Sequence, residues 1–175
     1  MKLSDLTNRA GEWLRGSGPM SEVVISSRIR LARNVAGHRF LSRATRSERN
    51  ALAKQVSLIL LDNPAGPNSF YVNLDEAPEI DRQLLVERHL ISKQHAAAEG
   101  ARGVCVSGDE TVSVMVNEED HLRIQCLRSG HQLEEAWQQI NAIDDHLEAK
   151  LSFSFHPRFG YLTACPTNVG TGIRV

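Results

Sequence analysis

A chain of 175 residues with 41% hydrophobic content is long enough to bury a real core in one compact domain, which excludes an intrinsically disordered protein. The formal net charge of −1 supplies no global basic field, so an anion site has to be a local cluster of arginines, and bulk nucleic-acid affinity is a weak expectation. No apolar run approaches the about 18 residues of a membrane span and MKLSDLTNRAGEW lacks the apolar centre of a signal peptide, so a cytoplasmic protein with no membrane partner is expected.

Residues 1–21 read as an N-terminal helical lead. Leu6, Ala10, Trp13 and Leu14 fall on one helix face, and Gly16, Gly18 and Pro19 end it. From Glu22 to Arg33 the pattern turns extended and β-branched, which places SSRIR on a strand and puts Arg28 and Arg30 on one face. Thr45 and Glu48 form a capping box ahead of a helix through Leu52, Val56, Ile59 and Leu60, stopped by Asn63 and Pro64. Ser69 to Asn73 reads as a strand, and Ile80 to Ile91 as a helix with His89 near its end. Gly103 to Ser107 and Thr111 to Asn117 form a hairpin across SGDE, and a further strand, about Leu122 to Leu127, follows the acidic corner NEED. A helix from about His131 to Lys150 turns Leu133, Ala136, Trp137, Ile140, Ile143 and Leu147 to the core. LSFSF and YLTA give two more strands around HPRFG. Hairpin connections dominate, so the fold class expected is α+β, a largely antiparallel sheet flanked by helices.

Cys105, Cys126 and Cys165 are widely spaced and lack a CxxC pattern, so all three read as thiols. Arg28 and Arg30, two apart on a strand, can aim planar guanidinium forks at one polyphosphate, although strand arginines also sit on solvated faces. Arg33, Arg39, Arg43, Arg46 and Arg49 extend the cluster and read as a solvated helix and loop surface, since Phe40 alone interleaves them. In VNEEDHLR, Glu118 and Asp120 read as solvated tips. Glu119 suits a further role, because a guanidinium acceptor stays protonated at neutral pH and needs a carboxylate to orient it and take its proton. Cys165 before Pro166 is ordinarily a packing residue, yet nearby arginines favour its thiolate. Gly170 and Gly172 permit close backbone approach to phosphate oxygens, with Thr167, Asn168 and Thr171 as donors. His89 is not selected by spacing, and the remaining histidines show no metal-ligand pattern, so no protein metal site is expected.

SSRIRLARN, NEEDHLRIQCL and CPTNVGTGIR, in that order and with ERHLIS in register, make the chain resemble the ATP:guanido phosphotransferase family, which includes creatine kinase and arginine kinase. The resemblance runs from about Glu22 onward, so residues 22–175 are expected to be the N-terminal part of the catalytic domain. It implies ATP with Mg2+ as phosphoryl donor. It also implies nucleotide binding by Ser26, Ser27, Arg28, Ile29, Arg30, His89, Arg123, Arg174 and Val175, with Glu119 as the catalytic carboxylate and Cys165 as the reactive cysteine near the acceptor.

Because only about twenty residues precede the first motif, the chain is similar to the bacterial branch of the family, which phosphorylates arginine side chains in proteins. That likeness implies as partners protein substrates with exposed arginine, the Clp protease machinery and a heat-shock repressor, within a stress response. Family members continue well past Arg174, so a truncated form is expected, with sheet edges that invite association such as a homodimer. The alternative is an inactive nucleotide-binding or regulatory module. Nucleic-acid binding through the Arg28 to Arg49 cluster ranks last.

Overall fold

The computed structural model describes residues 3, 6, 10–62 and 64–175. Strand β1, Ser26–Arg33, is the axis of the sheet. It pairs antiparallel along its full length with β5, Leu122–Ser129, and at Arg30 and Leu31 with the short β8, Ile173–Arg174. Beyond β5 lie β4, Val112–Val116, then β3, Gly103–Val106, then β2, Phe70–Asn73. The order β2-β3-β4-β5-β1-β8 is antiparallel throughout, as the hairpin pattern of the sequence leads one to expect. A separate two-stranded hairpin, β6 Phe155–His156 with β7 Gly160–Tyr161, replaces the longer strands expected from LSFSF and YLTA.

Helix α1, Arg46–Leu60, begins with the capping box written in its sequence. The Thr45 hydroxyl accepts from the Glu48 amide at 3.3 Å, and Glu48 Oε2 accepts from the Thr45 amide at 2.7 Å. Helix α4, Leu133–Glu148, lies with α1 on one face of the sheet. There Leu52, Val56 and Leu60 of α1 and Ala136, Ile140, Ile143 and Leu147 of α4 bury against Ile29, Leu31, Val114, Ile124 and Cys126. Trp137, expected in this stripe, is 38% exposed at its margin. Two turns further along α4, Asp144 is buried instead, because it receives a charge partner from β1.

The opposite face is covered unevenly. Helix α2, Glu79–Glu87, sends Leu85 under the sheet, where Leu74, Leu90, Ile91, Val104, Val106 and Met115 pack around it. This second core covers the β2–β3–β4 half and leaves the β5–β1–β8 half to polar side chains. The helix expected over Ile80 to Ile91 ends early, at Glu87, and a short α3, Lys93–Ala97, follows beyond the expected range. The break is a Schellman motif: the Leu90 amide donates to Leu85 carbonyl at 2.9 Å and the His89 amide to Val86 carbonyl at 3.0 Å. It requires a left-handed residue, and His89 supplies it with φ 59°. A histidine there in place of glycine costs about 1 kcal/mol.

The N-terminal helix expected through Leu6, Ala10, Trp13 and Leu14 falls partly outside the described residues, as does Asn63. What is described is a 3-10 turn, Glu12–Leu14. Its Trp13 indole donates to Arg88 carbonyl at 3.2 Å, which ties the lead to the end of α2.

Two buried histidines make the fold acid-sensitive. His95 has Nε2 at 3.1 Å from Gly103 carbonyl, and burial pushes its pKa down to about 4. Burial also lowers His121, whose Nδ1 accepts from the Val35 amide at 3.0 Å and so must be unprotonated. Both folded-state values lie below the unfolded value, so the unfolded chain binds more protons on acidification. The stability is fully present above about pH 6.5 and is lost progressively toward about pH 4, with His95 contributing on the order of 2–3 kcal/mol. Thermal melts at pH 7.5 and pH 5 are expected to show a drop in Tm that His95→Gln reduces; an equal drop in the variant would contradict this assignment.

Candidate active site

Because β1 alternates, Ser26, Arg28 and Arg30 project to the half-covered face, while Ile29, Leu31 and Arg33 project to the α1–α4 face. Cross-strand partners share a face, so the register extends the set. Ala32 opposes Arg123 of β5, Arg30 opposes Gln125, and on its other edge Arg30 opposes Arg174 of β8. Arg28, Arg30, Arg123 and Arg174 therefore stand together.

Their electrostatics show how close they are. Burial comes first in lowering the pKa of Arg30 to about 10, and the positive charges of Arg28, Arg123 and Arg174 add to it, with Glu118 opposing. Burial, then Arg123 and Arg174, lower Arg28 in the same direction. Two guanidinium groups, each depressed by burial and by the positive charges beside it, mark a surface that an anion would stabilise. A cavity of about 200 Å³ opens on this surface, lined by Arg28, Arg30, His89, Lys93 and Arg123 among others. Next to it, sharing Arg28 and His89, lies a cleft of about 460 Å³ with Trp13, Val24, Leu127 and Leu133 in its walls. Ser26 and Val175 also line this cleft.

The acidic corner between β4 and β5 departs from the solvated tip expected of it. Glu118 is nearly buried and accepts from Arg123 Nη1 at 2.7 Å and from Ser92 Oγ at 2.7 Å. Asp120 is buried, and its Oδ1 accepts from Asn34 Nδ2 and from the Ala164 amide, both at 2.6 Å. Glu119 sits between them and is exposed. One neighbour is bonded to the arginine cluster and the other to the segment that carries Cys165. Among the described residues no hydrogen bond or ion pair reaches the Glu119 carboxylate. Cys165 is half-buried with Sγ 2.9 Å from Thr167 Oγ1, at the entry to the 3-10 turn Pro166–Asn168. Cys105 and Cys126 are also free thiols, but burial pushes both up to about 11 and keeps them protonated.

Several residues take other places than the sequence suggests. Ile29 is in the core at 3% exposure, away from the arginine face. Ser27 touches the larger cleft, yet its hydroxyl donates to Gly130 carbonyl at 2.7 Å and accepts from the Gln132 amide at 3.0 Å, holding the entry to α4. Arg33, expected on a solvated surface, is 3% exposed and paired with Asp144. Gly172 approaches backbone and a buried side chain, whereas a Cβ on Gly170 would meet open space. A Cβ on Gly172 would meet Arg33 Nη1 at 2.4 Å and Ala32 carbonyl at 2.7 Å, and Gly170 carbonyl lies against Gly160. Gln125, Ser92, Lys93 and Trp13 escaped the sequence reading of the site. Two-residue alternation from Arg123 would have found Gln125, whereas Ser92, Lys93 and Trp13 arrive by loop paths that no local pattern encodes. Gln125 Nε2 donates to His89 carbonyl at 2.5 Å, and the Trp13 ring meets the His89 ring edge-on at 4.6 Å.

The geometry defines a cationic face on an antiparallel sheet, with an acid bonded into it. Residues 52–175 match the family described as ATP:guanido phosphotransferase, C-terminal catalytic domain, and the chain belongs to that family. It is 46% identical over 175 residues to a protein-arginine kinase of Halothermothrix orenii, an alignment spanning 99% of this chain and 50% of the relative. It is 47% identical over 179 residues to a protein-arginine kinase of Symbiobacterium thermophilum, with the same coverage of 99% and 50%. The chain spans about half the length of the curated relatives it matches. Among solved structures, the duplicated taurocyamine kinase from Schistosoma mansoni with bound transition state analog components superposes with a TM-score of 0.82 at 26% identity, over 99% of this chain and 25% of that one. Lombricine kinase superposes at 0.73 and 25% identity, over 94% and 51%. Kinase chemistry on a guanidino group is thus the family setting of this face.

Glu118 is the carboxylate that offsets the four positive charges. Glu118→Gln is expected to lower stability in anion-free buffer by about 1–3 kcal/mol, because the Arg123 bond loses its charge assistance. Added inorganic tripolyphosphate is expected to raise Tm further in the variant than in the parent, since more repulsion remains to be relieved. Equal shifts in the two proteins would contradict the offsetting role.

Proposed function

We propose that this chain carries the nucleotide face and the catalytic carboxylate, a general base, of a kinase that transfers the γ-phosphoryl group of ATP to the guanidinium of arginine residues in proteins. The observation that carries the reading is the convergence of Arg28, Arg30, Arg123 and Arg174 on one sheet face, beside a cavity of phosphate size. The larger cleft, apolar along Val24, Leu127 and Leu133 and closed at one side by Trp13 and His89, suits a base and ribose. Ser26, Ser27, Ile29 and Val175 would then contribute backbone or wall contacts to the nucleotide. That the relatives are protein-arginine kinases supports a polypeptide arginine as acceptor.

In this reading the arginines embrace the triphosphate and stabilise the charge that moves onto the departing diphosphate. One nitrogen of the acceptor guanidinium attacks the γ-phosphorus. The N–P bond forms as the bond to the bridging oxygen breaks, ADP leaves, and the nitrogen's proton passes to Glu119. Cys165, on the segment that Asp120 ties to the acidic corner, would face the cationic acceptor. Among the described residues no group of three or more His, Cys, Asp or Glu could hold a metal ion. Magnesium would accordingly be held by the phosphate oxygens, whose charge it neutralises when bound. Residues 22–175 as the first part of a catalytic domain, a cytoplasmic location, and Clp machinery and a heat-shock repressor as partners belong to the same proposal. They rest on the motif resemblance. Among the described residues no helix is long and apolar enough to cross a membrane.

Incubation with ATP, magnesium and an arginine-rich protein is expected to give acid-labile phosphoarginine that Glu119→Gln abolishes. Undiminished labelling in that variant removes Glu119 from the role. By calorimetry, Arg28→Ala is expected to weaken ATP binding about 10- to 100-fold, the worth of one charge-assisted contact. The exposed Glu119, whose carboxylate no described residue bonds, favours a second reading, a nucleotide-binding or regulatory module without transfer. ATP binding with no phosphoarginine would select it.

A further inference from the structure

Arg33 is the one arginine of β1 turned away from the phosphate face, and it is among the most heavily bonded side chains described. Its Nε and Nη2 donate to the two Asp144 oxygens at 2.7–3.2 Å. Its Nη1 donates to Ala32 carbonyl at 3.0 Å and to Thr171 carbonyl at 2.9 Å, and its planar group lies 3.7 Å from the Tyr161 ring centre. Burial first, with the charges of Glu148 and Asp145 adding to it, raises Asp144 despite the opposing Arg33, so the pair stands where charge is costly. A buried pair of this kind contributes little net stability, which points to a geometric role.

What the pair holds is the path into β8. From Thr171 the chain runs to Gly172, whose carbonyl accepts from the Ala32 amide at 2.9 Å, and two residues later Arg174 stands opposite Arg30. Gly172, with φ 69°, must be glycine, because a Cβ would occupy the place of Arg33 Nη1. On the other side Tyr161 exchanges backbone hydrogen bonds with Gly170 at 2.8 and 3.2 Å. Strand β8 itself is two residues long and brings a positive charge against Arg28 and Arg30, which repel it. Backbone pairing at two positions is a weak hold against that repulsion.

We infer that Asp144, Arg33 and Tyr161 form a positioning clamp which, from the far side of β1, holds the Gly170–Gly172 turn and thereby sets Arg174 beside Arg30. Arg33 touches no substrate; it acts through Arg174. The consequence for ligand binding rests on the nucleotide reading above, whereas the clamp itself does not. Lysine would keep the charge of Arg33 but cannot span Asp144 and Thr171 with one planar fork.

The test uses the full chain with Arg33→Lys and, should that variant fail to fold, Tyr161→Leu, which leaves the ion pair intact. Amide hydrogen exchange at Ala32, whose N–H is bonded to Gly172, is expected to quicken roughly tenfold or more in either variant without global unfolding. ATP affinity is expected to fall roughly tenfold when Arg174 is present and to be unchanged by Arg33→Lys in an Arg174→Ala background, the non-additivity of residues acting through one contact. Unaltered exchange at Ala32 would overturn the clamp. Equal affinity losses in both backgrounds would overturn its action through Arg174. If the parent chain binds no ATP, the nucleotide reading falls and the exchange result alone decides the clamp.

Discussion

Arg28, Arg30, Arg123 and Arg174 carry like charges on one face of the β5–β1–β8 ladder, and much of the surrounding structure opposes their repulsion. Interstrand hydrogen bonds fix their spacing, so the groups cannot spread as they would on a loop. Burial makes matters worse, since it removes water that would screen them. Among the described residues the acid that enters the cluster is Glu118, and it is itself held by Ser92 at the start of α3. A site kept in this state is pre-organised for a polyanion, because the cost of assembling the charges falls on folding instead of on binding.

That arrangement explains the lopsided covering of the sheet. The α1–α4 face is packed along its length, and the second core stops at Met115, opposite Arg123. The left-handed turn at His89 ends α2, lets Leu90 return to the core, and leaves the His89 ring for the cleft wall against Trp13. A strained residue thus bounds the site, a common location for stored backbone strain.

The polar core at the end of β1 joins the two halves of the site. Asn34 accepts from the His121 amide and donates to Asp120 and to Leu162 carbonyl, while Asp120 accepts from Ala164. Cys165 is therefore tied to the corner that carries Glu119, just as Arg174 is tied to β1 through Arg33. Family membership and these ties concern the same elements, even though the chain spans about half the length of the curated relatives it matches.

Local patterns were legible in the sequence for physical reasons that act over a few residues. The Thr45 and Glu48 capping box, the alternation of Val112, Val114 and Val116, and the shared face of Arg28 and Arg30 follow from helical and strand periods alone. Motif order sufficed for the family, and the α+β class followed from the hairpin connections. The sequence could not tell Arg33 from its neighbours, because burial depends on Asp144, more than a hundred residues away. Nor could it tell that Glu118 and Asp120 are bonded, that Trp137 lies outside the core, or that Gly172 makes room for a side chain and not for a phosphate. Each of those outcomes is set by a partner that only tertiary packing brings within bonding distance.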